Sequence, residues 1–198
     1  MFKPMMKVTA AVALMLGVSL AQPVHAAADH EKALRSIVAE KILPWTRDAK
    51  VVDAIKAQNS KHASLDNAKI VSLDKTWRAQ TKSADKPMIE GILGNDLSAF
   101  LKKIKADSKG LFTEIFVMDN KGLNVGQSDV TSDYWQGDEA KWKKTYLAGA
   151  DAVHVGKVKK DESTQRFQSQ VSVSIVDPAT KAVIGAVTVG IDMEALGL

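Results

Sequence analysis

The chain has 198 residues, of which 27 are basic and 23 acidic, giving a formal net charge of +4. One domain accommodates this length, whereas two would both have to be small. Acidic and basic residues are interspersed and form no basic block, which argues against a nucleic-acid partner. The sequence contains no cysteine, so burial and hydrogen bonding must supply all of the stability.

The first residues have the pattern of an export signal. Lys3 and Lys7 precede an uncharged apolar stretch, residues 8–21, which leads to the small-residue sequence Val24-His25-Ala26. This order predicts a signal peptide at residues 1–26, cleaved after Ala26, and hence a mature protein in the periplasm. The apolar stretch is short for a membrane span, and an uncleaved anchor is the alternative interpretation. No later stretch is apolar over the ~20 residues that a membrane helix requires.

Helical spacing dominates the first half of the expected mature domain, residues 27–198. Apolar side chains recur every three or four positions from Asp29 to about Ser64, which predicts a long amphipathic helix. Pro44 lies inside this pattern and has no N–H to donate, so we expect a kink or a restart near Leu43. Shorter helices are predicted over 68–81 and 96–104, separated by a loop around Lys86 and Pro87.

The period changes after Gly110. Residues 114–118 and 123–128 are rich in strand formers and flank the turn sequence Asp119-Asn120-Lys121-Gly122, which predicts a hairpin. After a polar and aromatic segment, strand-like alternation resumes at 152–155, 167–176 and 183–191. The order predicts an α+β domain in which a helical lead-in, 29–106, covers one face of a five-stranded antiparallel sheet, 111–192. One helical insertion should follow the first hairpin.

The segment from Asp129 to Tyr146 concentrates aromatic and acidic side chains. It contains both tyrosines and half of the four tryptophans of the chain. Small-ligand pockets are typically lined by aromatic walls with a few polar groups, so this segment is a candidate site. Its carboxylates and ring faces can accept an ammonium group, and its hydroxyl and indole donors can bind a carboxylate; the residues do not decide between the two. The candidates are Asp129, Tyr134, Trp135, Asp138, Trp142 and Tyr146.

Structural roles compete with binding roles in this segment. Trp142 can instead anchor a helix on the sheet, and Glu139 is better explained as an acid that stabilises a helix N-terminus. Tyr134 and Trp135 lie at the predicted helix entrance beside a loop, where binding roles are common. We therefore favour binding for this pair and leave Trp142 and Asp138 open.

A second set of candidates lies along one predicted strand. Arg166, Gln168 and Gln170 occupy alternate positions, so they share one polar face of that strand. If this face lines a pocket, Arg166 can bind a ligand carboxylate bidentately. If it points to solvent, the three residues are ordinary surface groups, and both orientations are compatible with the sequence.

No arrangement of residues in the sequence indicates catalysis or a metal site. The histidines after residue 26 are His30, His62 and His154, which are widely separated, and no phosphate loop or Gly-x-Ser-x-Gly motif occurs. The acidic residues of 129–139 lack the ordered spacing of a cation-binding loop. We therefore expect neither an enzyme nor a bound cofactor.

Residues 131–142 (TSDYWQGDEAKW), preceded by 119–125 (DNKGLNV) and followed by the hairpin of 171–192, resemble the Cache (PAS-like, PDC) family of extracytoplasmic sensor domains. Residues 73–78 (LDKTWR) are similar to the helical lead-in of single-Cache members. The resemblance implies a long N-terminal helix on an antiparallel sheet, with a small-molecule pocket between the sheet and the segment after its second strand. Amino-acid-binding members often place an acidic residue at the end of the last strand, which makes Asp192 a further candidate.

The resemblance also implies a function. It predicts a periplasmic module that binds a small organic acid or amino acid in chemotaxis or signal transduction. Most Cache domains continue into a second membrane helix, whereas few residues follow the last strand here, so we expect a separate membrane receptor or transporter as partner. The alternative is an envelope protein-interaction module without a small ligand. The N-terminal helix can pair two copies in a homodimer, or its apolar stripe can be covered by the sheet.

Overall fold

The computed structural model describes residues 22–160 and 166–197, and the side chains from His30 onward within these ranges. The predicted signal peptide lies outside the described residues, apart from the backbone of its last five. Within the described ranges, every helix is too short or too polar to cross a membrane.

The N-terminal helical region is interrupted twice. Its elements are helix α1 (Gln22–Ile37), a π turn (Val38–Ile42), helix α2 (Leu43–Thr46) and helix α3 (Ala49–Lys61). Pro44 is the second residue of α2, directly after the π turn, so the predicted kink near Leu43 is confirmed. The break before α3 lies outside the sequence prediction. There Asp48 caps the new helix by accepting a hydrogen bond from the Lys50 amide at 2.8 Å.

Three further helices precede the sheet: α4 (Asn67–Gln80), α5 (Pro87–Leu93) and α6 (Asp96–Asp107). The first and last of them confirm the two shorter helices predicted from the sequence. The predicted loop is present up to Lys86, but it ends there: helix α5, which the sequence did not predict, begins at Pro87. Pro87 lies in the first helical turn, where its missing N–H and fixed φ are tolerated, so the proline begins a helix.

A six-stranded antiparallel sheet follows the helices. Its strands are β1 (Phe112–Met118), β2 (Asn124–Gln127), β3 (Val153–Val155), β4 (Lys159–Lys160), β5 (Phe167–Val176) and β6 (Val183–Asp192). The order across the sheet is β2-β1-β6-β5-β3, and β4 also pairs with β5. The α+β class is confirmed. The sheet has six strands where five were predicted, and the strand that the sequence analysis missed is β4, which has only two residues and so no alternating pattern. The helical insertion is one turn, α7 (Ala140–Lys143), between β2 and β3.

Helices cover one face of the sheet. Strands β1, β5 and β6 turn alternate apolar side chains toward Leu34, Ile55 and Leu101, which come from α1, α3 and α6. The sheet contributes Ile115, Val117, Val171, Val173, Ile175, Val187, Val189 and Ile191 to this main core. The apolar stripe of α1 is therefore buried against the sheet of its own chain.

A smaller core lies beneath α4 and α5. Trp77 is fully buried, stacks on Tyr134 with ring centroids 5.5 Å apart, and donates its indole N–H to the Thr131 carbonyl at 2.8 Å. Asp74 accepts hydrogen bonds from the amides of Tyr134 and Trp135 at 2.9 and 3.0 Å. Helix α4 thereby fixes the start of the connection between β2 and β3.

Candidate ligand-binding face of the sheet

The second face of the sheet carries polar side chains. The strand register arranges them in two neighbouring rows, one with Phe116, Thr188, Ser172 and His154, the other with Glu114, Gly190 and Gln170. We call this surface the polar face. The alternation that buries valines on the first face thus places carboxylate, amide, hydroxyl and imidazole groups on this one.

Hydrogen bonds hold the side chains of the polar face in place. The Gln170 amide donates to the Glu114 carboxylate at 2.8 Å, and the Thr113 hydroxyl donates to the Gln168 carbonyl oxygen at 2.6 Å. Glu114, Gln168 and Gln170 are half-buried, so solvent reaches them. A carboxylate accepts several hydrogen bonds, and Glu114 therefore retains capacity for a ligand donor.

An aromatic shelf borders the polar face. Trp142 and Tyr146 stack with ring centroids 4.9 Å apart and an interplanar angle of 19°, and Trp142 packs in one cluster with Phe116. The Trp142 indole donates to the Asp119 carbonyl at 3.1 Å. Burial and the charge of Asp119 raise the pKa of Tyr146, so its hydroxyl stays neutral and can donate a hydrogen bond.

A charged side chain lies over the Phe116 ring, and a titratable one shares its row farther across the sheet. The Lys141 ammonium lies 5.3 Å from the ring centroid and 3.0 Å from a carboxylate oxygen of Glu139. His154 shares a row with Phe116, and burial together with the charge of Lys144 lowers the pKa of its imidazole. The ring therefore has a cation over it and, two residues along β1, the carboxylate of Glu114, whereas the imidazole of His154 lies three strands away.

Arg166 and Asp192, both predicted to contact a ligand, bind each other. Asp192 is fully buried and accepts hydrogen bonds from the Arg166 guanidinium and from the amides of Glu194 and Ala195, the latter two at 2.9 and 3.1 Å. Burial alone would raise the pKa of Asp192, but these hydrogen bonds lower it and keep the carboxylate charged. A ligand carboxylate at Arg166 would have to compete with Asp192.

The predicted site residues fall into two groups: some lie on or beside the polar face, and the others lie elsewhere in the fold. Tyr134 and Trp135 belong to the smaller core, and the Trp135 indole donates to the Lys121 carbonyl at 2.9 Å. Asp129 pairs with Lys105 of α6 at 2.6 Å. Asp138 is exposed to solvent. The polar face and its border bring together Trp142, Tyr146, Arg166, Gln168, Gln170 and Asp192. A binding role stays a prediction for every member of the set.

Sequence reasoning missed three residues of this surface, Glu114, His154 and Lys141. Period-two alternation along β1 could have identified Glu114. Ile115 points into the main core, so its neighbour Glu114 must lie on the opposite, polar face. No local pattern places Lys141 over Phe116, since that contact joins β1 to the long connection between β2 and β3.

Asp119 links the aromatic shelf to the N-terminal helices. It is fully buried at the end of β1, where its backbone carbonyl binds the Trp142 indole. Its carboxylate accepts hydrogen bonds from the Gln58 amide and from His62 Nδ1, each at 3.0 Å. Asp119 therefore connects Trp142 to the C-terminal end of α3 through hydrogen bonds.

No family model matches the sequence, and no curated protein matches it. Among solved structures, the chain is similar to the sensor domain of the V. cholerae histidine kinase DctB, with 16% identity over 88% of this chain and 59% of that one, at a TM-score of 0.46. The sensory domain of the Campylobacter jejuni chemoreceptor Tlp3 matches with 14% identity, 84% and 64% coverage, and a TM-score of 0.41. The ligand-binding domain of the Pseudomonas aeruginosa PAO1 amino acid chemoreceptor PctC, in complex with GABA, matches with 13% identity, 80% and 63% coverage, and a TM-score of 0.41.

These matched structures are sensor, sensory and ligand-binding domains. The chain spans about three fifths of their length. At such low identities and TM-scores, no ligand, site residue or partner transfers from them to this chain. What this protein binds must follow from its own residues.

Proposed function

We propose that this protein is an extracytoplasmic sensor domain that binds a small amino acid on its polar face and passes the signal to a membrane partner. The observation that carries the proposal is the placement of opposite charges beside one aromatic ring. Glu114 lies two residues before Phe116 on β1, about 6.6 Å along the strand, and Lys141 lies over the ring. Such an arrangement suits a ligand that carries both an ammonium group and a carboxylate.

An amino acid would give Glu114 a partner of opposite charge and would give Lys141 a second carboxylate beside that of Glu139. Its ammonium would donate to Glu114, which Gln170 holds in position, and its carboxylate would accept from Lys141. Its side chain would lie against the shelf of Trp142 and Tyr146. A simple organic acid would place its charge near Glu114 without an ammonium to offset it, so we expect amino acids to bind more tightly than organic acids.

The first experiment is a thermal-shift screen of the protein against the standard amino acids, GABA, short carboxylates such as pyruvate, and simple amines. A ligand at ~100 times its dissociation constant stabilises the folded state by ~2.7 kcal/mol, which is readily detected. The hit is expected among the amino acids. Glu114→Gln and Lys141→Met should each weaken it about tenfold or more, because each removes one charged hydrogen-bond partner.

Matched controls separate loss of the site from loss of charge. Glu40→Gln and Lys103→Met make the same chemical changes at exposed positions, and they should leave the affinity of the hit unchanged. A hit that binds both site variants as tightly as the original protein would place the ligand elsewhere. That result would remove the proposed role of the polar face.

Transmission to a partner is proposed to run from Trp142 through Asp119 to α3. Trp142→Phe keeps an aromatic ring on the shelf but removes the indole hydrogen bond to Asp119. In hydrogen-exchange measurements, the ligand should slow amide exchange at the end of α3 in the original protein and should no longer do so in the variant. Unchanged protection of α3 in Trp142→Phe would exclude this route.

Export to the periplasm is the remaining element of the proposal. It is supported by the basic and apolar order of residues 1–26. Cell fractionation should recover the protein from the periplasm with a mass and N-terminal sequence that begin at Ala27. Recovery from the cytoplasm with Met1 in place would contradict it.

A protein-interaction module without a small ligand is the second candidate, and one surface favours it. Phe167 and Val158 are 49% and 43% exposed and line a cleft of about 920 Å³ beside strand β3. Exposed apolar side chains next to a sheet edge suit a protein partner. This alternative would be supported if no compound in the screen raises the melting temperature and if Phe167→Ser abolishes the binding of a purified protein partner.

A further inference from the structure

A groove between α3, α4 and α5 lies apart from the polar face. Its volume is about 630 Å³, within the range of roughly 300–1,000 Å³ that is typical of small-ligand sites. Apolar side chains dominate its lining: Leu65, Leu73, Met88, Ile92 and the ring of Tyr134. The groove can therefore hold a small apolar group.

The charged residues that line this groove are cationic. Lys61 at the end of α3 and Lys69 near the start of α4 are exposed, and neither forms an ion pair with a residue in the described ranges. The nearest acid along the chain is Asp66, whose carboxylate caps α4 by accepting the Lys69 amide at 2.8 Å. Two unpaired ammonium groups beside an apolar lining favour a ligand that is apolar and negatively charged.

Two mostly buried side chains add polar atoms to the groove. His62 and Tyr134 both line it and are 8% and 4% exposed. His62 Nδ1 is bound to the Asp119 carboxylate at 3.0 Å, whereas His62 Nε2 and the Tyr134 hydroxyl make no hydrogen bond within the part of the chain that the structure describes. Both residues line the groove, and these two atoms are not among the enclosed polar atoms of the described residues, so a ligand in the groove can reach them.

We propose that this groove is a second ligand site and that it takes an apolar monocarboxylate, with an aliphatic chain or an aromatic ring. The carboxylate is bound by Lys61, Lys69 and the Tyr134 hydroxyl, and the apolar part lies over Leu73 and Ile92. The site does not depend on amino-acid binding at the polar face, because its lining residues come from other elements. It is linked to that face through Asp119, which binds both His62 and Trp142.

Gly91 offers a way to block the groove. It lies on α5 at the lining, and a Cβ built on it would meet no atom within 4 Å, so Gly91→Leu can fill the space without straining the helix. In isothermal titration with decanoate, we expect saturable binding of one molecule per protein. Gly91→Leu should weaken it at least tenfold, whereas the matched control Gly91→Ala should remain within about twofold.

The carboxylate is tested by removing the two ammonium groups. The double variant Lys61→Gln, Lys69→Gln should weaken decanoate about tenfold and leave 1-decanol unaffected, while Lys103→Gln should change neither. The proposal is overturned if decanoate does not bind saturably, if Gly91→Leu binds decanoate as tightly as the original protein, or if the double lysine variant loses affinity equally for decanoate and 1-decanol.

A variant of the polar face separates the two proposed sites. Glu114→Gln should leave decanoate binding unchanged, so failure at this site is distinguishable from failure at the polar face. Circular dichroism checks that each variant is folded.

Discussion

The two faces of the sheet are made from the same strands and differ in what packs on them. On the first face, side chains such as Val173 and Val187 are buried beneath the N-terminal helices and α6. On the second, Glu114 and Gln170 are half-buried and bind each other. Burial of apolar area supplies most of the stability, whereas such a hydrogen bond contributes only about 1 kcal/mol. The difference shows that the helix-covered face supplies most of the stabilising burial, whereas Glu114 and Gln170 on the polar face remain within reach of solvent.

Truncation in the main core should have the largest effect on stability. Leu101→Ala removes a fully buried side chain, and the free energy of unfolding should fall by about 2–5 kcal/mol. Gln170→Ala on the polar face should cost less than about 1 kcal/mol, because Glu114 can then be hydrated. Guanidinium denaturation of both variants measures this contrast. Equal losses would show that the polar face also holds the fold together.

Removal of the Asp74 carboxylate should have the next largest effect. Asp74→Ala leaves the amides of Tyr134 and Trp135 unpaired and should lower the free energy of unfolding by about 2–3 kcal/mol. The control Asp129→Ala breaks a largely exposed pair with Lys105 and should cost about 0–1 kcal/mol. If the two variants denature alike, α4 does not fix the β2–β3 connection through Asp74.

A methyl group at Gly190 should disturb the polar face directly. A Cβ there would collide with the Thr113 hydroxyl and press on the Glu114 side chain, so Gly190→Ala should lower the free energy of unfolding by about 1–3 kcal/mol. Gly91→Ala on α5 meets no such contact and should raise it by about 0.5–1 kcal/mol. Thermal denaturation of the pair provides the measurement. A neutral Gly190→Ala would mean that the polar face is loosely packed.

The pH dependence contributed by His154 should be the smallest effect. Burial and Lys144 lower the pKa of His154, so the unfolded chain binds a proton first as the pH falls. The free energy of unfolding should therefore decrease as the pH falls below the ordinary histidine pKa of 6.5. Above that pH, His154 should make no contribution to the pH dependence. His154→Gln should remove that part of the slope in denaturation curves recorded between about pH 5 and 8. Parallel curves for the two proteins would contradict the assignment.

Much of the fold could be predicted because its signals are local. Alternation along β5 places Gln168 and Gln170 on one face and Val171 on the other, and the structure confirms this division. Pro44 indicates the kink correctly. Pro87 shows the limit of such reasoning, since a proline can end one element or begin another, and the tertiary contacts of α5 decide which.

The candidate site was harder to predict because its contacts join distant segments. Tyr134 and Trp135 have the composition of pocket residues, yet Trp77 and Asp74 of α4 hold them in the smaller core. Aromatic content alone does not distinguish these two locations. The position of Trp142 on the shelf depends on Asp119, which is far from it in sequence, so only the folded chain shows it.

The four tryptophans allow the most direct test of the polar face as the ligand site. Trp45 packs on the main core, Trp77 and Trp135 belong to the smaller core, and Trp142 lies on the shelf. The measurement is a titration of ¹⁵N-indole-labelled protein with the amino acid found in the screen, followed by NMR. We predict that the Trp142 indole signal shifts and saturates while the Trp45 signal stays in place. A shift confined to Trp77 or Trp135, with Trp142 unmoved, would contradict the assignment of the ligand to the polar face.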